Sequence, residues 1–155
     1  MSRKSQAEAT LAQLTTEQRD TLCYWLERGG RHLEDWEHLQ KIFPFSGTVY
    51  RGVGFNSKKE LEKALAEAKA GTIKFELGSS WTLSRNVAQQ FTVQSWEESK
   101  WDFPGFIVMT TANGVDVCQF CKHLAILGRL PDYLSFLPKE KEVALPPGSY
   151  SVSVL

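Results

Sequence analysis

The chain has 155 residues, the length of one domain, and 42% of them are hydrophobic, enough for a core. Lys plus Arg and Asp plus Glu number 18 each, a neutral balance without the electrostatic footprint of a nucleic-acid binder. No stretch of about 18 apolar residues offers a membrane span, and the polar start Met1 to Gln13 lacks the apolar run of a signal peptide. A cytoplasmic protein with no membrane partner is the expectation.

Residues 1–46 read as a helical part. Thr15 and Gln18 have the spacing of a capping box, and Leu22, Trp25 and Leu26 follow at helical spacing until Gly29-Gly30. Leu33, Trp36, Leu39 and Ile42-Phe43 carry an apolar stripe on to Pro44. From residue 47 to 155 the texture is β-rich. Thr48 to Val53 reads as a strand bounded by Gly47 and Gly54. Ser57 to Glu60 is a second capping box, opening a helix with Leu61, Ala64, Leu65 and Ala68 on one face. Ile73 to Leu77 alternates like a strand, and Ser84 caps a short helix carrying Val87, Ala88 and Phe91. Thr92 to Pro104 reads as a loop anchored by Trp96, Trp101 and Phe103.

Beyond it, Gly105 to Thr111 is an apolar strand and Val115 to Cys118 a further short one. Gly128 to Pro138 is irregular. Lys141 to Leu145 and Ser149 to Leu155 are strands divided by Pro146-Pro147-Gly148. Helices first and strands later give an α+β chain with a mainly antiparallel sheet, organised as one domain over residues 1–155. Cys23, Cys118 and Cys121 are an odd set, with one C-x-x-C where zinc would want four ligands. Free thiols on a short element are expected, and no metal.

Three local signals carry chemistry. Arg51, between Tyr50 and Gly52, is costly inside an apolar strand unless it meets an anion or a carboxylate; the alternative is an edge residue facing water. Gly52 permits a close backbone approach by a ligand. Ser80 and Thr82 lie two apart at the end of a strand and share a face, placed to hold a charged residue or a polar ligand; a small polar turn is the plain alternative. Glu140 and Glu142 stand two apart, directly before Val143-Ala144-Leu145, and on one strand they too would share a face. Paired carboxylates can divide labour between a cation and a proton, although a solvated edge has the same composition.

Taken in order, an Arg in a first strand, a Ser-x-Thr turn, and Glu-x-Glu before a short strand and a Pro/Gly turn resemble the R-S-E class of mono-ADP-ribosyltransferases. The class includes cholera-toxin-like, C2- and C3-like toxins, arginine-specific vertebrate ectoenzymes and phage-encoded enzymes. The resemblance runs from about Thr48 to Val154, and Trp81 takes the middle place where a hydroxyl is usual. It implies N-terminal helices packed on a split, mainly antiparallel β-sandwich core that binds NAD+ as substrate. Carried over by position, Arg51 would bind the NAD+ phosphates and the Gly52 backbone would hold the nicotinamide amide. Ser80 would orient Glu142, Thr82 would support the ribose or the same strand, and Glu142 would be the catalytic carboxylate. Glu140 would engage the acceptor, and a Glu there implies arginine.

The loop from Gly128 to Pro138, with Tyr133 and Phe136 as recognition residues, would meet the target protein carrying that arginine. The loop from Thr92 to Pro104 would cover the nicotinamide, with Trp96, Trp101 or Phe103 stacking. A monomer is expected, of phage or bacterial origin. The competing functions are an NAD+ glycohydrolase, transfer to a nucleic-acid base or 5′ end, and a non-catalytic relative that only binds.

Overall fold

The computed structural model describes residues 2–28, 31–95, 97 and 99–155. Three helices come first. α1 (Arg3–Leu11) is capped by Ser2, whose hydroxyl accepts from the Ser5 amide, and buries Ala7 and Leu11. α2 (Thr16–Arg28) opens on the reciprocal capping box read from the sequence. The Gln18 amide donates to Thr15 Oγ1 at 3.1 Å and the Thr15 amide to Gln18 Oε1 at 2.9 Å. α3 (Trp36–Ile42) starts at Asp35, a left-handed N-cap that accepts from the His38 amide. The expected stop at Gly29-Gly30 lies outside the described residues.

The strands begin earlier than expected. β1 (Pro44–Phe55) pairs with β4 (Phe103–Val115) from Pro44↔Val115 to Val53↔Phe106, with an irregularity before Phe55↔Phe103. Continuous pairing with a strand distant in sequence draws Pro44 to Gly47 into the strand, which local composition cannot show. It likewise extends β4 at both ends beyond the expected 105–111. Between them lie α4 (Lys58–Lys69), β2 (Thr72–Phe75), β3 (Ser79–Thr82) and α5 (Arg85–Phe91). The Ser57 and Ser84 hydroxyls accept from the Glu60 and Val87 amides, as their spacing predicted.

The strand expected over Val115 to Cys118 is not there. Asp116 instead caps α6 (Val117–Ile126), accepting from the Gln119 amide, and Val117, Phe120, Cys121 and Leu124 are buried at helical spacing. Cys118 and Cys121 are buried free thiols on this helix. A 3₁₀ turn (Asp132–Leu134) and α7 (Leu137–Glu140) order much of the stretch read as irregular. β5 (Glu142–Leu145), β6 (Gly148–Ser151) and β7 (Ser153–Val154) complete the chain. The strand read over Ser149 to Leu155 is therefore two strands, and they serve different sheets.

The architecture is α+β with two antiparallel sheets. The larger runs β1-β3-β5-β4-β7, and the added β1–β4 ladder makes its pairing return on itself. The smaller is β2-β6. Two cores result. Val49, Trp81, Val108, Val143, Leu145 and Val152 are buried together, with Phe75 and Tyr150 of the small sheet edge-on or tilted against Trp81. The other core joins α1, α2, α3 and α6 to Val115 and Ala144 of the large sheet. Side chains alternate along a strand, so β5 sends Val143 and Leu145 into one core and Ala144 toward the helices. Glu142 shares the face of Ala144. No described helix is long and apolar enough to cross a membrane.

Candidate active site

The same alternation in β3 buries Trp81 among the apolar residues of the two sheets and leaves Ser80 and Thr82 on the opposite face, beside Glu142. Thr82 is the register partner of Glu142. The Ser80 hydroxyl donates to Glu142 Oε2. Trp25 Nε1, from α2, donates to the same oxygen at 2.8 Å. Among the described residues Glu142 Oε1 takes no protein hydrogen bond, and Glu142 lines a cavity of about 200 Å³.

Arg51 lines that cavity too. Its Nη1 donates to the Ser80 carbonyl at 2.7 Å, and its guanidinium carbon stands 5.5 Å from the centre of the Phe75 ring. Ser80 thus links the two charges, through its carbonyl to Arg51 and through its hydroxyl to Glu142. Arg51 and Glu142 form no direct ion pair among the described residues. They sense each other at longer range. Burial lowers the Arg51 guanidinium from its ordinary value and the charge of Glu142 opposes this. Burial raises the Glu142 carboxyl, while Ser80, Trp25 and the charge of Arg51 pull it back.

Glu140 is placed differently from the expectation. It ends α7 rather than preceding Glu142 on a strand. Lys141, left-handed at φ 50°, turns the chain between them. Both carboxylates still line the cavity, brought there by the turn and not by strand alternation. The Glu140 carboxyl is raised to about 7, first by burial and then by the neighbouring charge of Glu142.

Thr82 holds this turn. Its hydroxyl donates to the Glu140 carbonyl at 2.6 Å and accepts from the Ser84 amide at 3.0 Å. It supports the strand end, and its own polar capacity goes to backbone. Gly52 lines the cavity beside Arg51, and its missing side chain has a second consequence. A Cβ there would lie 1.8 Å from the Ala88 carbonyl oxygen, so the missing side chain makes room for α5. Gly54 does the same for Trp101, whose Cδ1 would be 1.9 Å from an added Cβ.

The cavity is also lined by Val87, Phe91, Gln94, Ser95 and Trp101. Trp101 is fixed by its Nε1 donating to the Phe91 carbonyl at 3.0 Å. Of the three aromatics expected near the site, Trp101 lines it, Phe103 starts β4 and Trp96 lies outside the described residues. Tyr133 and Phe136 are exposed, at 66% and 43%, and are not in the cavity wall. Tyr133 Oη donates to Glu27 of α2 at 3.1 Å. Among the described residues no group of three or more His, Cys, Asp or Glu side chains is arranged to hold a metal.

Trp25 is the residue that reading by pattern missed. In the sequence it falls at helical spacing with Leu22 and Leu26, the pattern of a packing residue. Its signal was the indole N–H, a donor that needs an acceptor once buried.

No protein-family model matches the chain, and no curated protein does. Among solved structures, the ADP-ribosyltransferase HopU1 of Pseudomonas syringae pv. Tomato DC3000 is similar over 77% of this chain, at 20% identity and a TM-score of 0.45. The chain spans 42% of the length of that protein.

Proposed function

We propose that the protein is a mono-ADP-ribosyltransferase that cleaves NAD+ and transfers ADP-ribose to an arginine of a target protein. One observation carries this reading. Among the described residues Glu142 takes two donors on a single oxygen and none on the other, and it lines a cavity shared with Arg51 and Glu140. A carboxylate fixed on one side and free on the other is preorganised to meet a positive charge or a hydroxyl.

In this reaction the bond between nicotinamide and ribose C1′ breaks, and nicotinamide leaves with the electron pair. The sugar becomes an oxocarbenium-like cation. Glu142 Oε1 stabilises it by accepting from the ribose 2′-hydroxyl and by its charge. The donors of Arg51 not used on the Ser80 carbonyl bind the phosphates. Trp101 and Phe91 supply flat apolar surface at the nicotinamide end. A guanidinium nitrogen of the acceptor then bonds to C1′ and loses a proton. With its carboxyl raised to about 7, Glu140 is matched to accept that proton near neutrality. The target would meet the surface around the exposed Tyr133 and Phe136.

The test is incubation with labelled NAD+ and a cell lysate, followed by mass spectrometry of the marked residues. ADP-ribosylated arginine is expected. Glu142→Gln should lower NAD+ cleavage by about two to three orders of magnitude or more. Glu140→Ala should spare cleavage and lose transfer, and full-rate transfer by that variant defeats the arginine assignment. Rapid NAD+ loss without labelled protein would make it a glycohydrolase. Saturating NAD+ that leaves the Tm unchanged would reduce it to a non-catalytic fold.

A further inference from the structure

The indole of Trp25 reaches the site from outside the strands that build it. Trp25 of α2 is 117 residues away in sequence from Glu142 and is 1% exposed. Its ring is wedged edge-on against Trp36 of α3 at 5.9 Å and 83°. Gly78, just before β3, leaves room for both rings, since an added Cβ there would be 2.6 Å from Trp36 and 3.0 Å from Trp25. The Gly78 amide donates to the Arg31 carbonyl at 2.7 Å, tying the start of β3 to the segment between α2 and α3. A core Trp would satisfy its N–H on any nearby carbonyl. This one donates to the cavity-lining carboxylate, on the oxygen already bonded to Ser80.

We propose that Trp25 is a positioning residue for Glu142, through which the N-terminal helices set the orientation and charge of the carboxylate. The proposal rests on the reading of Glu142 as the residue that stabilises the sugar cation. Two donors on Oε2 fix both torsion and tilt of the carboxylate plane, so the unbonded Oε1 is held in place without reorganisation during reaction. Ser80 alone would leave the plane free to rotate about its single bond to the hydroxyl. A charge-assisted hydrogen bond also favours the ionised form of a buried acid. The other charged groups facing Glu142 are Arg51 of β1, which favours its charge, and Glu140 of α7, whose carboxyl is raised by burial and by the charge of Glu142. Cys118 and Cys121 of α6 sense its charge as well, and their thiols are raised by burial.

The experiment replaces Trp25 with β-(3-benzothienyl)alanine, which puts sulfur in the place of N–H and keeps the ring shape, alongside Trp25→Phe. NAD+ consumption is measured against pH, with the Tm recorded for each variant. With the donor gone, Glu142 is harder to ionise, so the acid limb of the kcat profile moves to higher pH. At about pH 6, kcat falls about tenfold while KM for NAD+ changes less than about twofold, as expected for loss of one hydrogen bond to a charged group. An unchanged acid limb and kcat in the sulfur isostere, with activity lost only in step with Tm in Trp25→Phe, overturns the proposal and leaves Trp25 as packing. A wild-type protein that leaves NAD+ intact sinks the functional reading and this proposal with it. An active wild type with an equally active isostere sinks the proposal alone.

Discussion

Replacing Glu140 with Gln isolates the electrostatic cost of setting two carboxylates around one cavity. Glu140 is partly exposed, carries no side-chain ion pair among the described residues, and has its carboxyl raised from the ordinary 4.5 to about 7 by burial and by Glu142. The folded state therefore holds this proton more tightly than the unfolded chain does. The resulting stability is fully present below about pH 4.5 and is lost as the pH rises through about 7.

At 1.36 kcal/mol per pH unit, the full difference between 4.5 and about 7 is worth about 3.4 kcal/mol. Solvent screening at a partly exposed carboxyl cuts this by somewhat more than half, to about 1.5 kcal/mol. Glutamine keeps the shape and never ionises. Glu140→Gln should therefore match the wild type near pH 4.5 and exceed it by about 1.5 kcal/mol at about pH 8, a rise in Tm of roughly 3 to 6 °C for a chain of this size. The assay is urea unfolding and thermal melting of both proteins across that range. A variant no more stable than the wild type at pH 8, or a gain of equal size at both ends, refutes the reasoning. The first outcome would mean that Glu140 finds a cation or enough water to stay charged without strain. The second would place the gain in packing rather than charge.

Gly52→Ala should destabilise the fold by about 1 to 3 kcal/mol, because its methyl meets the Ala88 carbonyl at 1.8 Å and backbone must shift; a Tm within a degree of wild type would show that α5 yields freely. Arg51→Lys should raise KM for NAD+ by about tenfold or more at nearly normal Tm, since an ammonium cannot hold the Ser80 carbonyl and a phosphate in one plane; an unchanged KM removes Arg51 from binding. Thr15→Ala should cost about 1 kcal/mol in chemical denaturation through loss of one half of the capping box, and no cost would mean that packing alone holds the start of α2.

How far the residues themselves reach can be judged from particular places. Caps were legible because they are local chemistry. Thr15 with Gln18, Ser57 and Ser84 each accept the amide three residues on, at the positions their spacing predicted. The pair Ser80 and Thr82 was legible because a strand alternates, and both hydroxyls do lie on the face of Glu142. Glu140 was misplaced because the i, i+2 rule holds only inside a strand, and a left-handed Lys141 ends α7 between the two acids. That Gly52 also makes room for α5 could not be read, because Ala88, whose carbonyl fills the missing side chain's space, is distant in sequence.

The sequence by itself determined the α+β class, the starts of α2, α4 and α5, and the alternation that sorts polar from apolar faces. These depend on contacts a few residues apart, where backbone geometry is fixed by the chain. Only the tertiary structure decided that β1 and β4 extend to Pro44 and Val115, that Asp116 opens a helix, and that Trp25 donates to Glu142. Each of these sets residues tens of positions apart side by side, or yields a local preference to such a pairing. No periodicity records which distant surface a buried donor will meet, because that choice is made by how the layers pack.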